Sequence, residues 1–160
     1  MGYGVDGQKR GRKGGERMLE KTIQAIAFAL QEAFGEAYRI DTDGTGGPDG
    51  PCFRIVPVRV ERVKGTCGRC TQMQNFEVRY IPGEGDTEKC ARILDRMYDT
   101  LECIMADGNA VWSNASWGGV QEGRAYFFAR YDVLLEKEPD AAMEHAEIRI
   151  TDKTQERKGE

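Results

Sequence analysis

Two stretches of alternating apolar and polar residues, joined by a short glycine-containing link, constrain the fold of this chain most. Residues 51–65 read PCFRIVPVRVERVKG and residues 71–82 read TQMQNFEVRYIP. Alternation with a period of two predicts strands, and the short link predicts a β-hairpin with TCGRC, residues 66–70, at its tip. Pro57 has no N–H to donate, so it predicts an edge position or a bulge. The side chains predicted to point inward are Val56, Val58, Val60, Phe76, Val78 and Tyr80.

Helical periodicity lies on both sides of this hairpin. Apolar residues spaced by three and four predict a helix over residues 18–34, with Gly35 as its C-cap. A second stripe of the same spacing predicts a helix over residues 90–105, CARILDRMYDTLECIM, which Asp107-Gly108 ends. Its buried face is expected to carry Cys90, Ile93, Leu94, Met97, Tyr98, Leu101 and Ile104.

Three further strands complete the predicted fold. They cover residues 38–43, residues 109–117 and residues 124–138, and GGVQEG, residues 118–123, is predicted as the break between the last two. The last strand carries aromatic residues on both faces, which predicts a central strand that is covered at least in part on each side. The order α-β-β-β-α-β-β predicts an α+β domain, with two helices packed on one mostly antiparallel sheet.

Composition divides the chain into three parts. Residues 1–17 hold six glycines and five Lys or Arg, which predicts a disordered basic arm. Residues 18–138 form the predicted domain. Residues 139–160 are polar and form a predicted tail, in which HAEIRIT, residues 145–151, is a candidate docking or edge strand.

Bulk charge and hydropathy favour a protein that acts away from membranes and nucleic acid. The net charge is only −4, so no strong basic field attracts phosphate. No apolar run reaches the ~20 residues that cross a bilayer, and no secretory signal is visible. We therefore expect no membrane partner and no sequence-specific nucleic acid partner.

The CxxC pair Cys67 and Cys70 is the strongest metal or redox candidate. A structural zinc site needs four ligands, and the pair supplies two. The only histidine, His145, lies in the predicted tail, and a redox thiol needs a helix N-terminus that a hairpin tip lacks. Loop thiols without a metal are the favoured interpretation, and a zinc-binding interaction module is the alternative. The other cysteines, Cys52, Cys90 and Cys103, are dispersed along the chain.

No catalytic constellation is recognisable in the sequence. Asp41 and Asp43 lie on one side of a short predicted strand and could hold a divalent cation, but the turn-rich stretch behind them favours a solvated loop. The glycine-rich stretches do not match a phosphate-binding loop, and no nucleophile elbow occurs. We therefore expect a protein that is not an enzyme and has no cofactor.

Surface candidates come from charge and from tryptophan. Basic residues along the predicted hairpin, here called the basic stripe, are Arg54, Arg59, Arg62, Lys64 and Arg69. The stripe favours a solvent-exposed face or a protein interface over a nucleic-acid site, because aromatic residues that could stack on bases are missing. Trp112 and Trp117 are expected in the core, although a tryptophan at the end of a loop is also a fair interface anchor. The candidate interface residues are Arg54, Arg59, Arg62, Lys64, Arg69 and Trp117.

The order of these motifs resembles a known family. LEKTIQAIAFALQEAFGEAYRIDTD, GPCFRIVPV, FEVRYIP, CARILDRMYDTLECIMADG and RAYFFARYDVLLEKE together resemble tail terminator, or tail-completion, proteins of phages and prophages of Gram-positive bacteria. The resemblance covers about residues 18–148, and PCFRIVPV, FEVRYIP and FFARYDV carry most of it. The hairpin-tip cysteines and the basic arm lie outside the family pattern.

This resemblance implies a structural role without an active site. It implies an α+β subunit that forms a ring, expected to be a hexamer, on the head-proximal end of the tail tube. The implied partners are other copies of the chain, the tail-tube protein and a head-completion or neck protein, in the virion and, during assembly, in the host cytoplasm. The basic stripe and the acidic stretch EKEPDAAMEHAE, residues 136–147, are hypothesised to meet across a joint between subunits.

Overall fold

The computed structural model describes residues 16–46, 50–83 and 87–136 of the chain. These residues form two α-helices, a short 3₁₀ turn and six strands, so the predicted α+β class is confirmed. Within the described part, no helix has the length and apolar character that spanning a membrane requires. The elements are α1 (Glu16–Phe34), β1 (Arg39–Asp41), β2 (Cys52–Lys64), β3 (Arg69–Ile81), the 3₁₀ turn Thr87–Lys89, α2 (Cys90–Thr100), β4 (Cys103–Ala106), β5 (Asn109–Gln121) and β6 (Arg124–Glu136).

The strands form one six-stranded sheet in the order β1-β2-β3-β6-β5-β4. Only β1 and β2 run parallel, and every other neighbouring pair is antiparallel, as the sequence predicts. The predicted hairpin is β2–β3, and β6 lies between β3 and β5 as a central strand. The sheet therefore has two different edges, β1–β2 at one end and β4 at the other.

Both helices pack on the same side of the sheet and enclose the core. Ile26 and Leu30 of α1 are fully buried, and so is Met97 of α2. The inward side chains of β3 and β6, including Phe76 and Phe127, are buried against them. The helical stripes of the sequence therefore predict the faces that are buried, and removal of this apolar surface from water stabilises the packing.

The predicted second helix is wrong in its last turn. Helix α2 ends at Thr100, and Cys103–Ala106 forms β4, an additional strand. Asp107 and Gly108 both have positive φ, of 55° and 79°, which is the geometry of a two-residue hairpin turn that joins β4 to β5. Ile104 is buried as predicted, but on a strand, because a spacing of three or four residues does not distinguish a helical turn from the entry into a strand.

The predicted break at residues 118–123 is also wrong. Strand β5 continues to Gln121, and the turn to β6 is confined to Glu122 and Gly123, with φ of 53° and 71°. Gly118 lies inside the strand, and only glycine fits there because a side chain would collide with its neighbours. An added Cβ would stand 2.5 Å from Tyr126 O. This glycine serves close packing and does not form a turn.

Strand β2 confirms the predicted bulge and corrects the predicted burial. Its register with β3 shifts between Pro57 and Arg59, so one residue is inserted at Val58. Before the bulge the strand is largely buried, and after it every residue to Lys64 is exposed. Val58 and Val60, which the alternation predicts to point inward, are therefore exposed. Beyond the bulge β2 is the outermost described strand of the sheet, because β1 pairs only with Cys52–Arg54.

The predicted terminal parts lie mainly outside the described residues. Of the basic arm, residues 1–17, only the last two are described, and they belong to α1. The predicted domain boundary at residue 138 lies two residues beyond the end of β6, and the tail, residues 139–160, lies outside the described part.

A buried tyrosine ties α2 to the sheet and gives a testable pH dependence. The Tyr131 hydroxyl donates a hydrogen bond to Leu101 O at 2.5 Å. Burial raises the pKa of Tyr131, because the phenolate would lose its hydration, and the nearby Cys103 acts in the same direction. We expect Tyr131→Phe to lower the free energy of unfolding by about 1 kcal/mol at neutral pH, since Leu101 O loses this donor.

The sign of the pH effect follows from the raised pKa. Above about pH 10 the tyrosine of the unfolded chain ionises while Tyr131 stays protonated, so wild-type stability falls as pH rises through that range. Urea unfolding at pH 8 and at pH 10.5 should show a smaller decrease for the Phe variant than for the wild type. An identical decrease in both proteins would contradict the assignment.

Candidate interaction surfaces

The hairpin tip holds the two cysteines of the CxxC motif in different settings. Cys67 lies in the turn with φ of 58° and is exposed, whereas Cys70 is half-buried on β3 opposite Lys64. Backbone hydrogen bonds from Gly65 N to Arg69 O and from Arg69 N to Thr66 O form the turn. Among the residues that the structure describes, no three His, Cys, Asp or Glu side chains are grouped to hold a metal ion, and His145 lies outside them. The zinc alternative therefore gains no support.

The two aspartates at the end of β1, Asp41 in the strand and Asp43 after it, make contacts that stabilise the local structure. Asp41 is buried, its Oδ1 accepts a hydrogen bond from Gly44 N at 2.8 Å, and its Oδ2 pairs with Arg54 Nε at 3.1 Å. Asp43 is exposed and accepts hydrogen bonds from the hydroxyl and backbone of Thr45, which lower its pKa. Both carboxylates thus shape the loop, and Asp41 also fixes Arg54.

This arrangement predicts unequal effects of removing the two carboxylates. Asp41→Ala is expected to lower the free energy of unfolding by about 2 kcal/mol, because the partly buried Arg54 guanidinium loses its anionic partner. Asp43→Ala is the matched control, and we expect a smaller loss because the side chain is exposed. Urea denaturation at pH 7 measures both. Equal losses would show that the pair with Arg54 contributes nothing specific.

The predicted basic stripe is not one surface. Side chains that pair across the hairpin share a face, and the bulge at Val58 places Arg59 on the side of the sheet that faces away from the helices, whereas Arg62 lies on the other side. Arg59 pairs with Glu61 at 2.8 Å, and Arg62 donates to Gln72 Oε1 at 2.8 Å. Arg69 at the tip lies 3.9 Å from Glu136. The structure therefore separates the candidate residues.

The side of the sheet opposite the helices, here called the outer face, carries an exposed aromatic pair. Trp117 is 63% exposed and its ring stacks on Phe128, with centroids 4.1 Å apart and planes 13° from parallel. No described element covers this pair, so the expected core position of Trp117 is wrong. On the second face of β6, Tyr126 and Phe128 are half-buried, and the cover that they have comes from the side chains Arg79 and Trp117 of the neighbouring strands. The pair borders a groove of about 490 Å³, also lined by Val58, Met73, Arg59 and Arg130.

The charges of the outer face are paired with one another. Arg130 binds Asp132 through two hydrogen bonds of 2.7 and 2.8 Å, and Asp132 is the main cause of its raised pKa. Arg79 pairs with Glu77 at 3.1 Å and stacks over the Tyr126 ring at 5.1 Å. Fixed ion pairs around an exposed tryptophan resemble the rim and anchor of a protein interface.

A second exposed apolar surface lies at the β4 edge of the sheet, where α1 meets β4. Phe28 is 64% exposed and Met105 is 57% exposed, and both line a groove of about 480 Å³. A salt bridge of 2.8 Å between Lys21 and Asp107 closes one side of it. We call these residues the edge patch. Trp112, which was also expected in the core, is 62% exposed on the neighbouring strand β5.

Sequence reasoning missed the edge patch and most of the outer face. Phe28 lies on the polar side of the α1 stripe, and this single apolar residue among polar ones is the one signal that the sequence offered. Phe128 is one of the aromatic residues that the sequence predicts on the two faces of the last strand. Its stacking on Trp117 depends on the pairing of β5 with β6, which the sequence does not reveal.

The chain is an α+β domain in which both described helices lie on one side of the sheet and two separate apolar surfaces are exposed. A family profile described as "Phage tail terminator protein" matches residues 21–143. The chain therefore belongs to the phage tail terminator protein family.

One solved structure is similar to this chain in fold. A chain from the "Virion of native gene transfer agent (GTA) particle" is similar over 77% of this chain and 100% of its own length, with a TM-score of 0.53 at 12% sequence identity. A second solved chain is 10% identical over 73% of this chain and 97% of its own, with a TM-score of only 0.34. A search of curated proteins found no significant match. The family match indicates a structural protein of a phage tail, and the first of these structures adds similarity of fold.

Proposed function

We propose that this protein terminates a phage tail. Copies of the chain form a ring, expected to be a hexamer, at the head-proximal end of the tail tube, where the ring stops tube growth and joins the tube to the head. The observation that carries the proposal is the family match, which spans residues 21–143 and therefore both helices and all six strands except the first residues of α1. The role is structural and not enzymatic, and it requires no cofactor.

The distribution of exposed apolar residues supports this proposal. A cyclic ring joins one surface of each subunit to a different surface of its neighbour, and a terminator needs further surfaces for the tube and for the neck. The outer face with Trp117 and the edge patch with Phe28 and Met105 are separate apolar surfaces on one domain. Exposed apolar surfaces of this kind are typical of proteins that act through contacts.

The candidate interface residues are assigned within this scheme. Trp117 and Arg54 belong to the outer face, which we assign to the tail-tube protein. Arg59, Arg62, Lys64 and Arg69 lie on the hairpin beyond the bulge, which we assign to the joint with the next subunit. The head-completion or neck protein contacts the opposite side of the ring. The assembled protein is located at the head-proximal end of the virion tail, after assembly in the host cytoplasm.

One experiment tests the proposal directly. Purified full-length protein is analysed by size-exclusion chromatography with light scattering, alone and after addition of tail tubes, and the tubes are examined by electron microscopy. We expect a ring of defined size, either free or formed on the tube, at one end of each tube. A protein that stays monomeric and never binds tubes would refute the proposal.

A further inference from the structure

The end of the β2–β3 hairpin has an unpaired edge. Strand β1 pairs only with Cys52–Arg54, so along Val58–Lys64 no described strand pairs with the second edge of β2. Such an edge presents a row of backbone N–H and C=O groups that can accept another strand. We call residues Val58–Arg69 the hairpin arm.

The side chains of the hairpin arm restrict which strand can bind there. Four basic residues and one acidic residue, Glu61, give the arm a net charge of +3. Val58, Val60 and Val63 are exposed along it, so an incoming strand would also bury apolar surface. Positive charge on both partners would repel a second hairpin arm, whereas an acidic strand is attracted.

The chain itself contains a segment with matching properties. Residues 138–151, EPDAAMEHAEIRIT, carry four acidic residues and one arginine, a net charge of −3 with His145 neutral. Within it, HAEIRIT has the same length as Val58–Lys64, and Ile148 and Ile150 alternate with polar residues as in a strand. These residues lie outside the described part. The segment follows β6, which ends at Glu136 opposite Arg69 of the arm.

We propose that residues 145–151 of one subunit add as a strand to the free edge of the hairpin arm of the next subunit, with residues 138–144 beside its basic side chains. The inference rests on the ring proposed above and specifies its joint. A ring joint needs two different surfaces on each subunit, and the arm and the acidic segment are such a pair. Backbone pairing supplies affinity, and the opposite charges determine which strand is accepted.

A peptide titration tests the docking independently of ring formation. Fluorescently labelled peptide 138–151 is added to the full-length protein, diluted until light scattering shows monomers, and anisotropy reports binding. Arg59→Glu combined with Lys64→Glu should weaken binding about tenfold, as expected for two partly screened ion pairs. A peptide with Glu144→Lys and Glu147→Lys should restore binding to that variant. Higher salt should reduce the wild-type affinity.

A charge-matched control separates the docking site from net charge. Arg92→Glu with Arg124→Glu makes the same change in charge on α2 and at the far end of β6, and peptide binding should be unchanged. An equal loss in this control would overturn the inference. The inference would also be overturned if the monomeric wild-type chain bound no peptide. That result would mean either that the arm has no docking site or that the chain's own segment already occupies it.

Mixing two full-length variants tests whether the strand comes from a neighbour. Neither the R59E/K64E chain nor the E144K/E147K chain should form rings, but an equimolar mixture should, because alternating subunits restore opposite charges at every joint. No rescue in the mixture would overturn the exchange between subunits. If the wild type forms no ring under any condition, the proposed function fails, and the peptide titration still decides the strand docking.

Discussion

Replacement of Gly118 by valine is expected to lower the free energy of unfolding by about 3 kcal/mol or more. An added Cβ at this position would stand 2.5 Å from Tyr126 O and 2.9 Å from Leu94 Cδ1. The carbonyl belongs to a central strand and cannot move without disrupting the pairing of β5 with β6. Urea unfolding followed by circular dichroism measures the loss, and poor yield of folded protein would have the same cause.

The adjacent residue is a matched control for this prediction. Nothing lies within 4 Å of a Cβ added at Gly119, and its φ is not in the left-handed region. Gly119→Val is therefore expected to leave stability unchanged or to raise it by about 0.5 kcal/mol, since a β-branched residue suits a strand. If both variants lost stability equally, the explanation would be a general requirement for glycine in this strand, not close packing at Gly118.

Replacement of Trp117 by alanine is expected to weaken binding to tail tubes by about thirtyfold or more, which corresponds to about 2 kcal/mol. The ring is exposed and stacked on Phe128, so it is ready to bury a large apolar area against a partner without reordering. Cosedimentation of the full-length protein with purified tubes measures the affinity. Tails assembled with the variant should also be irregular in length.

The loss should concern binding and not folding. Because Trp117 is largely exposed, its removal should change the free energy of unfolding by less than about 1 kcal/mol. Trp117→Phe keeps a ring over Phe128 and should retain most of the affinity. If tubes bound the alanine variant as tightly as the wild type, the outer face would not be the tube-binding surface, and the assignment would have to move to the edge patch.

Prediction from the sequence succeeded where one local pattern decides the structure. The period of two around the hairpin tip located β2 and β3, and the stripe over α1 located its buried side. It failed at Cys103–Ala106, where apolar spacing suits a helix and a strand equally. The two-residue turn at Asp107-Gly108 lets Cys103–Ala106 pair with β5, so these residues form a strand and the helix ends before them, at Thr100.

The candidate surfaces were predicted less well than the fold. Trp117 was named as an interface candidate but expected in the core, and its exposure follows from the absence of any described element over the outer face. The basic stripe was predicted as one surface, but strand alternation places Arg59 and Arg62 on opposite sides of the sheet, and the bulge at Val58 puts Arg59 on the same side as Arg54. Burial of Asp41 with Arg54 was not anticipated, since it depends on the parallel pairing of β1 with β2.

The sequence alone determined the class of fold, the positions of most strands and helices, and the family to which the chain belongs, because these depend on periodicity and on motif order along the chain. The tertiary structure decided which apolar residues remain exposed and which charges are already paired. Those properties depend on residues far apart in the chain: both described helices cover one side of the sheet, whereas no described element covers the other side or pairs with the edge of β2 beyond the bulge. A local pattern indicates on which side of a strand a residue lies, but only the packing of distant elements determines whether its side chain is buried.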